Sequence, residues 1–215
     1  MQFLANIINY TFPQTCFLCG DLAVKPLCTA CLQELPYLEI AIKSNKSFKY
    51  VNHAYAVFDY VYPVNRLIQH AKFHNNFVIL HFFGSLMAQQ LDFEQTPDVI
   101  IPVPLHIKRL RERGYNQSLE LAKMMRNQLK LPLNYSYCQR IRYTTPQVRL
   151  NSKQRLTNLI DAFEVKHWPA EWKHVLLVDD VLTTGSTVEE ISKALSAVGV
   201  EQITVWCCAA RFANN

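Results

Sequence analysis

The hydrophobic positions of this chain fall into two kinds of pattern, short unbroken runs and helical stripes, and their alternation predicts the layout. Val99-Ile100-Ile101 is a continuous apolar run halted by Pro102-Val103-Pro104, as expected of a strand buried on both faces that ends in a loop. Val175-Leu176-Leu177-Val178 repeats the pattern, and Ile203-Thr204-Val205-Trp206-Cys207-Cys208 predicts a third buried strand. Between the first two runs, Asn116 to Leu129 sets Leu119, Ala122, Met125 and Leu129 on one helical face. After Thr187, Val188, Ile191, Leu195 and Val198 form another stripe, which Gly199 is placed to end. Upstream, His53 to Phe58 reads as a strand, and Val64 to Leu91, with Gly84 inside it and no proline, as one or two helices. Strands alternating with helices predict an α/β fold with an open parallel sheet flanked by helices, in which ligands sit at the carboxyl ends of the strands.

A length of 215 residues, half of them hydrophobic, suffices for one substantial core and a small appended module. The polar stretch Lys43-Ser44-Asn45-Lys46-Ser47 marks a boundary. The expected organisation is therefore a module at 1–42, a connecting strand and helical region at 43–95, and the main domain at 96–215. No apolar run approaches the roughly 18 residues that a membrane span needs, and no basic residue precedes the apolar start, so a cytoplasmic protein without membrane insertion is expected. The net charge of +5 suits phosphorylated metabolites as well as nucleic acid and decides nothing alone.

The second apolar run leads into chemistry. Asp179 and Asp180 follow it directly, and Thr183-Thr184-Gly185-Ser186-Thr187 then enters the next helix. Loop amides and hydroxyls at a helix start cradle an anion, while the carboxylates accept from paired hydroxyls or help hold a hydrated divalent ion. A ribose 5-phosphate offers both partners. Ser186 with Glu189 also spells a capping box, which would account for those two residues but not for the second acid or the hydroxyl-rich loop. Neither GxGxxG nor GxxxxGK[ST] occurs among the five glycines, which argues against a dinucleotide-binding domain and a P-loop NTPase. Four apolar residues, two acids and a Thr/Ser/Gly loop resemble the phosphoribosyl pyrophosphate (PRPP) motif of the type I phosphoribosyltransferases.

Transfer from PRPP would leave pyrophosphate, which calls for cations and amides. Pro102-Val103-Pro104-Leu105-His106 leads into Lys108, Arg109, Arg111 and Arg113, and guanidinium groups suit pyrophosphate. The same basic run is also compatible with a solvated or nucleic-acid-binding face. Arg140 to Phe163, polar and basic, is expected to act as a lid over the substrate.

Cys16, Cys19, Cys28 and Cys31 form two pairs on two-residue spacings, the pattern of a closed tetrathiolate zinc site of structural type, with an iron-sulfur cluster as the alternative. Cys138, Cys207 and Cys208 are expected in the core.

The cysteine module, Pro102-Val103-Pro104, Arg113-Gly114-Tyr115-Asn116-Gln117, Gln147, Arg155 with Asn158, and the Asp179 to Thr187 motif together resemble the ComF family, competence protein F, over nearly the full length. The resemblance implies a zinc-finger-like module joined to a phosphoribosyltransferase domain, with a role in natural transformation, where single-stranded DNA and DNA-uptake proteins are the partners. It implies Asp179 and Asp180 as catalytic candidates holding the ribose hydroxyls and Mg-PRPP. Thr183, Thr184, Gly185, Ser186 and Thr187 would hold the 5-phosphate, and Pro104, Leu105, His106 and Arg113 the pyrophosphate. Two readings follow, a magnesium-dependent transferase and a binding module in which PRPP is a regulatory ligand. Glu189-Glu190 is a departure, because acids in the first turn compete with a bound anion if they face the loop.

Overall fold

The structure is a computed structural model that describes residues 14–38, 48–74, 76–143 and 159–211. Its centre is a four-stranded, all-parallel sheet in the order β3-β8-β7-β4, from β3 (His53–Asp59), β4 (Val99–Pro102), β7 (His174–Leu182) and β8 (Gln202–Ala210). Every residue of β4 is buried, as are His174 to Val178 of β7. This is why the sequence shows unbroken apolar runs there instead of alternation. Asp98 ties the two strands together at their amino ends, its carboxylate accepting from the Lys173 and His174 amides at 2.7 and 2.8 Å.

Helices cover both faces. The expected helical stretch after residue 64 is two helices, α2 (Val64–His74) and α3 (Phe77–Gln89), with the Asn76 side chain capping the second through the Ile79 amide. α3 packs against α5 (Gln117–Leu129) at Gly84, where an added Cβ would lie 2.7 Å from the Leu121 carbonyl oxygen and 2.9 Å from Met124 Cβ. Between β4 and α5 lies the short α4 (Ile107–Arg113). On the other side, α6 (Ser186–Ala197) buries Val188, Ile191 and Leu195. Val198 leaves the expected stripe, because it is the C-cap and 38% exposed, and Gly199 follows at φ +95°. A separate antiparallel pair, β5 (Cys138–Arg140) with β6 (Phe163–Val165), stands beside the main sheet. Cys138, Cys207 and Cys208 are buried in the core.

The cysteine segment comprises β1 (Gln14–Thr15) paired with β2 (Leu22–Ala23), then α1 (Thr29–Gln33). Its Cys16, Leu27 and Leu35 join the apolar cluster of α2, α3 and α5, and Tyr37 bridges to Phe58 at the sheet edge. Strand β3, from the region expected to connect module and domain, is itself the edge strand of the main sheet. Gln147, Arg155, Asn158 and most of the expected lid lie outside the described residues.

The Gly84 contact yields a test: Gly84→Ala should lower stability by about 1–3 kcal/mol, since neither a helix backbone nor a Cβ can step aside cheaply. Denaturant midpoints at unchanged slope would show it.

Candidate functional site

The acid pair stands where β7 leaves the core. Asp179 and Asp180 are half-buried on a strand whose preceding five residues are buried, so their carboxylates meet little water. Each takes local hydrogen bonds, Asp179 Oδ1 from the Asp180 amide at 2.9 Å and Asp180 Oδ1 from the Val181 amide at 2.8 Å. Asp179 Oδ1 also accepts from the Ser118 hydroxyl at 2.9 Å, and Asp180 forms an ion pair with Lys72 of α2.

These partners push the two acids apart. Burial and the neighbouring charge of Asp180 raise Asp179 to about 7, against the pull of Ser118, the Asp180 amide and Lys72. Burial also acts upward on Asp180, but the Lys72 ammonium outweighs it and holds that carboxyl below its ordinary value. Lys72 shows the mirror image: burial alone would lower it, and Asp180 keeps it above its ordinary value.

One cleft of about 230 Å³ collects the groups singled out in the sequence. It is lined by Asp179 and Asp180, by Thr183, Thr184, Gly185, Ser186 and Thr187, and by Pro104, Leu105, His106 and Arg113 from the end of β4. Arg109, Arg140, Tyr143 and Lys72 complete it. Four cations against two carboxylates make the lining net positive, which suits an anion. The basic run divides: Arg109 and Arg113 line the cleft, while Lys108 sits over the Tyr143 ring at 5.2 Å and Arg111 is exposed. His106 packs edge-on to Tyr143 at 5.2 Å, and its Nδ1 caps α4 by accepting from the Lys108 amide at 3.2 Å.

The loop does not use a capping box. The N-cap of α6 is Gly185 at φ +75°, with no side-chain cap, and Ser186 Oγ bonds Thr184 Oγ1 at 2.9 Å instead. Gly185 is required twice over: its backbone is left-handed, and an added Cβ would lie 2.4 Å from a carbon of the Phe48 ring. Glu189, in the first turn of α6, and the adjacent Glu190 each accept hydrogen bonds from backbone amides of other segments. Glu189 Oε1 accepts from the Lys49 amide at 2.8 Å, and Glu190 Oε1 from the Asp161 amide and Lys193 at 2.9 and 3.2 Å.

The motif Arg113-Gly114-Tyr115-Asn116-Gln117 holds the site in place. Gly114 turns the chain at φ +77°, and Arg113 donates to the Gln117 side chain at 3.0 Å. Asn116 caps α5 through the Ser118 amide at 3.0 Å and donates to the Val103 carbonyl at 2.9 Å, fixing the loop after β4. The Tyr115 hydroxyl donates to the Ala71 carbonyl, next to Lys72. Sequence reasoning missed Lys72 and Ser118, because a lysine near the end of an amphipathic helix looks like a solvated one.

At the other end of the chain, the thiols of Cys16, Cys19, Cys28 and Cys31 lie within 4.8 Å of one another, with 3.7 Å between Cys19 and Cys28. A tetrahedral ion with bonds of about 2.3 Å to sulfur sets its ligands ~3.8 Å apart, so the cluster fits a metal such as zinc. Gly20 at φ +81° turns the first knuckle, and Cys28 caps α1 by accepting from the Cys31 amide at 3.5 Å.

Fold and cleft together define a phosphoribosyltransferase-type domain, and the phosphoribosyl transferase domain family matches residues 84–214. Competence protein F of Haemophilus influenzae is 39% identical over 155 residues, 68% of each chain, and a DNA utilization protein of Salmonella typhimurium is 32% identical over 200 residues, 89% of this chain and 82% of that one. The chain belongs to the ComF family of competence proteins. Among solved structures, a glutamine PRPP amidotransferase from B. subtilis aligns with 60% of this chain and 26% of its own at 18% identity and a TM-score of 0.42.

The raised Asp179 gives a pH signature. A carboxyl whose folded-state value lies above its unfolded one favours folding most below the unfolded value and loses that contribution as pH climbs through about 7. Thermal melts of the unliganded protein from pH 5 to 8 should therefore show Asp179→Asn gaining on the wild type as pH rises, whereas parallel profiles would refute the raised value.

Proposed function

We propose that this chain binds PRPP in the cleft at the carboxyl ends of β4 and β7 and that it acts in natural transformation, where incoming single-stranded DNA is handled. The observation that carries the reading is that one cleft joins a strand-end acid pair, a left-handed glycine loop at the start of α6, and arginines from a separate element. The acid pair would accept from the ribose hydroxyls, the Thr183 to Thr187 loop would take the 5-phosphate, and Arg109 with Arg113 would face the pyrophosphate. Hard oxygen donors suit Mg2+, and Asp179 and Asp180 are the residues that would hold it with the ligand. When bound, the ion would supply neutralising charge at the pyrophosphate. The part in DNA handling is supported by the relatives named competence protein F and DNA utilization protein. Lys108 and Arg111, which are exposed, are available to strand phosphates.

A second reading, catalytic transfer, is favoured by Arg109 and Arg113 lining the same cleft as the acids, since cations there would stabilise a departing pyrophosphate. Among the described residues, no helix is long and apolar enough to cross a membrane.

Calorimetric titration with PRPP and Mg2+ tests the main reading. Replacing two charged acceptors by amides, Asp179→Asn with Asp180→Asn, should weaken binding about 100-fold or more. A wild type that does not bind PRPP would overturn it.

For the cysteine cluster we read zinc. Elemental analysis should find about one zinc per chain, and Cys19→Ser should lower both that content and the melting temperature. Iron with sulfide in the preparation would identify the alternative cluster instead.

A further inference from the structure

We propose that Lys72 keeps free divalent metal away from the acid pair, so that the metal enters the cleft only together with a phosphorylated ligand. The inference rests on the cleft being the ligand site and concerns a residue upstream of the family-matched segment 84–214.

Lys72 is delivered from an element with its own anchorage. Val64, Leu67, Ile68 and Ala71 bury one face of α2, and the Tyr115 hydroxyl holds the Ala71 carbonyl. The ammonium that follows enters the cleft and pairs with Asp180, with 19% of the lysine side chain and 14% of the aspartate side chain exposed. Two adjacent carboxylates would otherwise form a ready oxygen-donor site for a hard divalent ion. A tethered ammonium competes for that site from within the molecule, at an effective concentration far above that of any free metal. The two cations repel each other at Asp180, so a lone metal ion must expel Lys72 and leave a poorly hydrated lysine without an anion, a costly state.

A ligand with phosphate groups changes this balance. It brings its own anionic oxygens into the cleft that Lys72 shares with Arg109 and Arg113, giving the displaced ammonium a new partner. Its hydroxyls and its metal can then occupy Asp180 together. Lys72 is thus a specificity-determining residue for the metal-ligand complex over the metal alone.

The test is a titration of the full chain, its cysteine site loaded, with Mn2+ alone, read from the electron paramagnetic resonance signal of the free ion. Wild type and Lys72→Arg should bind Mn2+ weakly at the pair, and Lys72→Met about tenfold or more tightly, because the competing charge is gone. The gain should vanish in Lys72→Met combined with Asp180→Asn. Mn2+ affinity that is equal in wild type and Lys72→Met, absent from both, or raised even with Asp180→Asn would overturn the proposal. If Lys72→Met melts below the assay temperature, Lys72→Gln, which removes the charge but keeps a donor for Asp180, carries the same comparison. Titration of the wild type with PRPP and Mg2+ in the same buffer keeps the two ideas apart. A protein that binds PRPP while Lys72→Met gains no Mn2+ keeps its ligand cleft and loses the role assigned to Lys72.

Discussion

Two neighbouring carboxylates at the rim of a buried strand cannot both hold a charge unless other groups reach them, and much of this molecule is arranged to do so. Lys72 arrives from α2, Ser118 from the first turn of α5, and the strand contributes its own amides at Asp180 and Val181. The compensation is unequal, and therefore the two acids differ: Asp180 is paired with an ammonium, while Asp179 has hydroxyl and amide donors and is raised to about 7. An unequal pair of acids side by side is a poised arrangement, one charged and one close to its titration point near neutral pH.

What lets groups from three elements meet at one point is the turn from Arg113 to Gln117. Its tyrosine reaches α2, its asparagine reaches the loop after β4, and the helix it caps presents Ser118 to β7. The motif that carries much of the family resemblance is thus mainly a bracket, although Arg113 also lines the cleft. The close passage of α3 over α5 at Gly84 supports the same bracket from behind.

The parts of this structure legible in the sequence are those where one physical demand acts on consecutive residues. A strand covered on both faces must be apolar throughout, so β4, β7 and β8 could be read directly, and the loop that follows β7 could be placed at the end of a strand. The three-residue strands β5 and β6 are too short to leave a pattern. Ser186 and Glu189 have the spacing of a capping box, yet the left-handed Gly185 takes the N-cap and Lys49, 140 residues upstream of Glu189, claims the glutamate. Lys72 meets Asp180 across more than a hundred positions of chain, and local spacing carries no trace of such an encounter.

The ring of Phe48 lies against Gly185, at the hinge between the phosphate-type loop and α6, and the next residue's amide holds Glu189. Similarity to the wider domain family begins only at residue 84. The segment matched to that family and the segment that builds the cleft are therefore different stretches of chain. Ahead of Phe48, Cys16, Leu27 and Leu35 share the apolar cluster of α2, the helix that delivers Lys72 to the cleft. Phe48 against Gly185 and Lys72 on Asp180 thus make the strand-end motif depend on residues outside the matched segment.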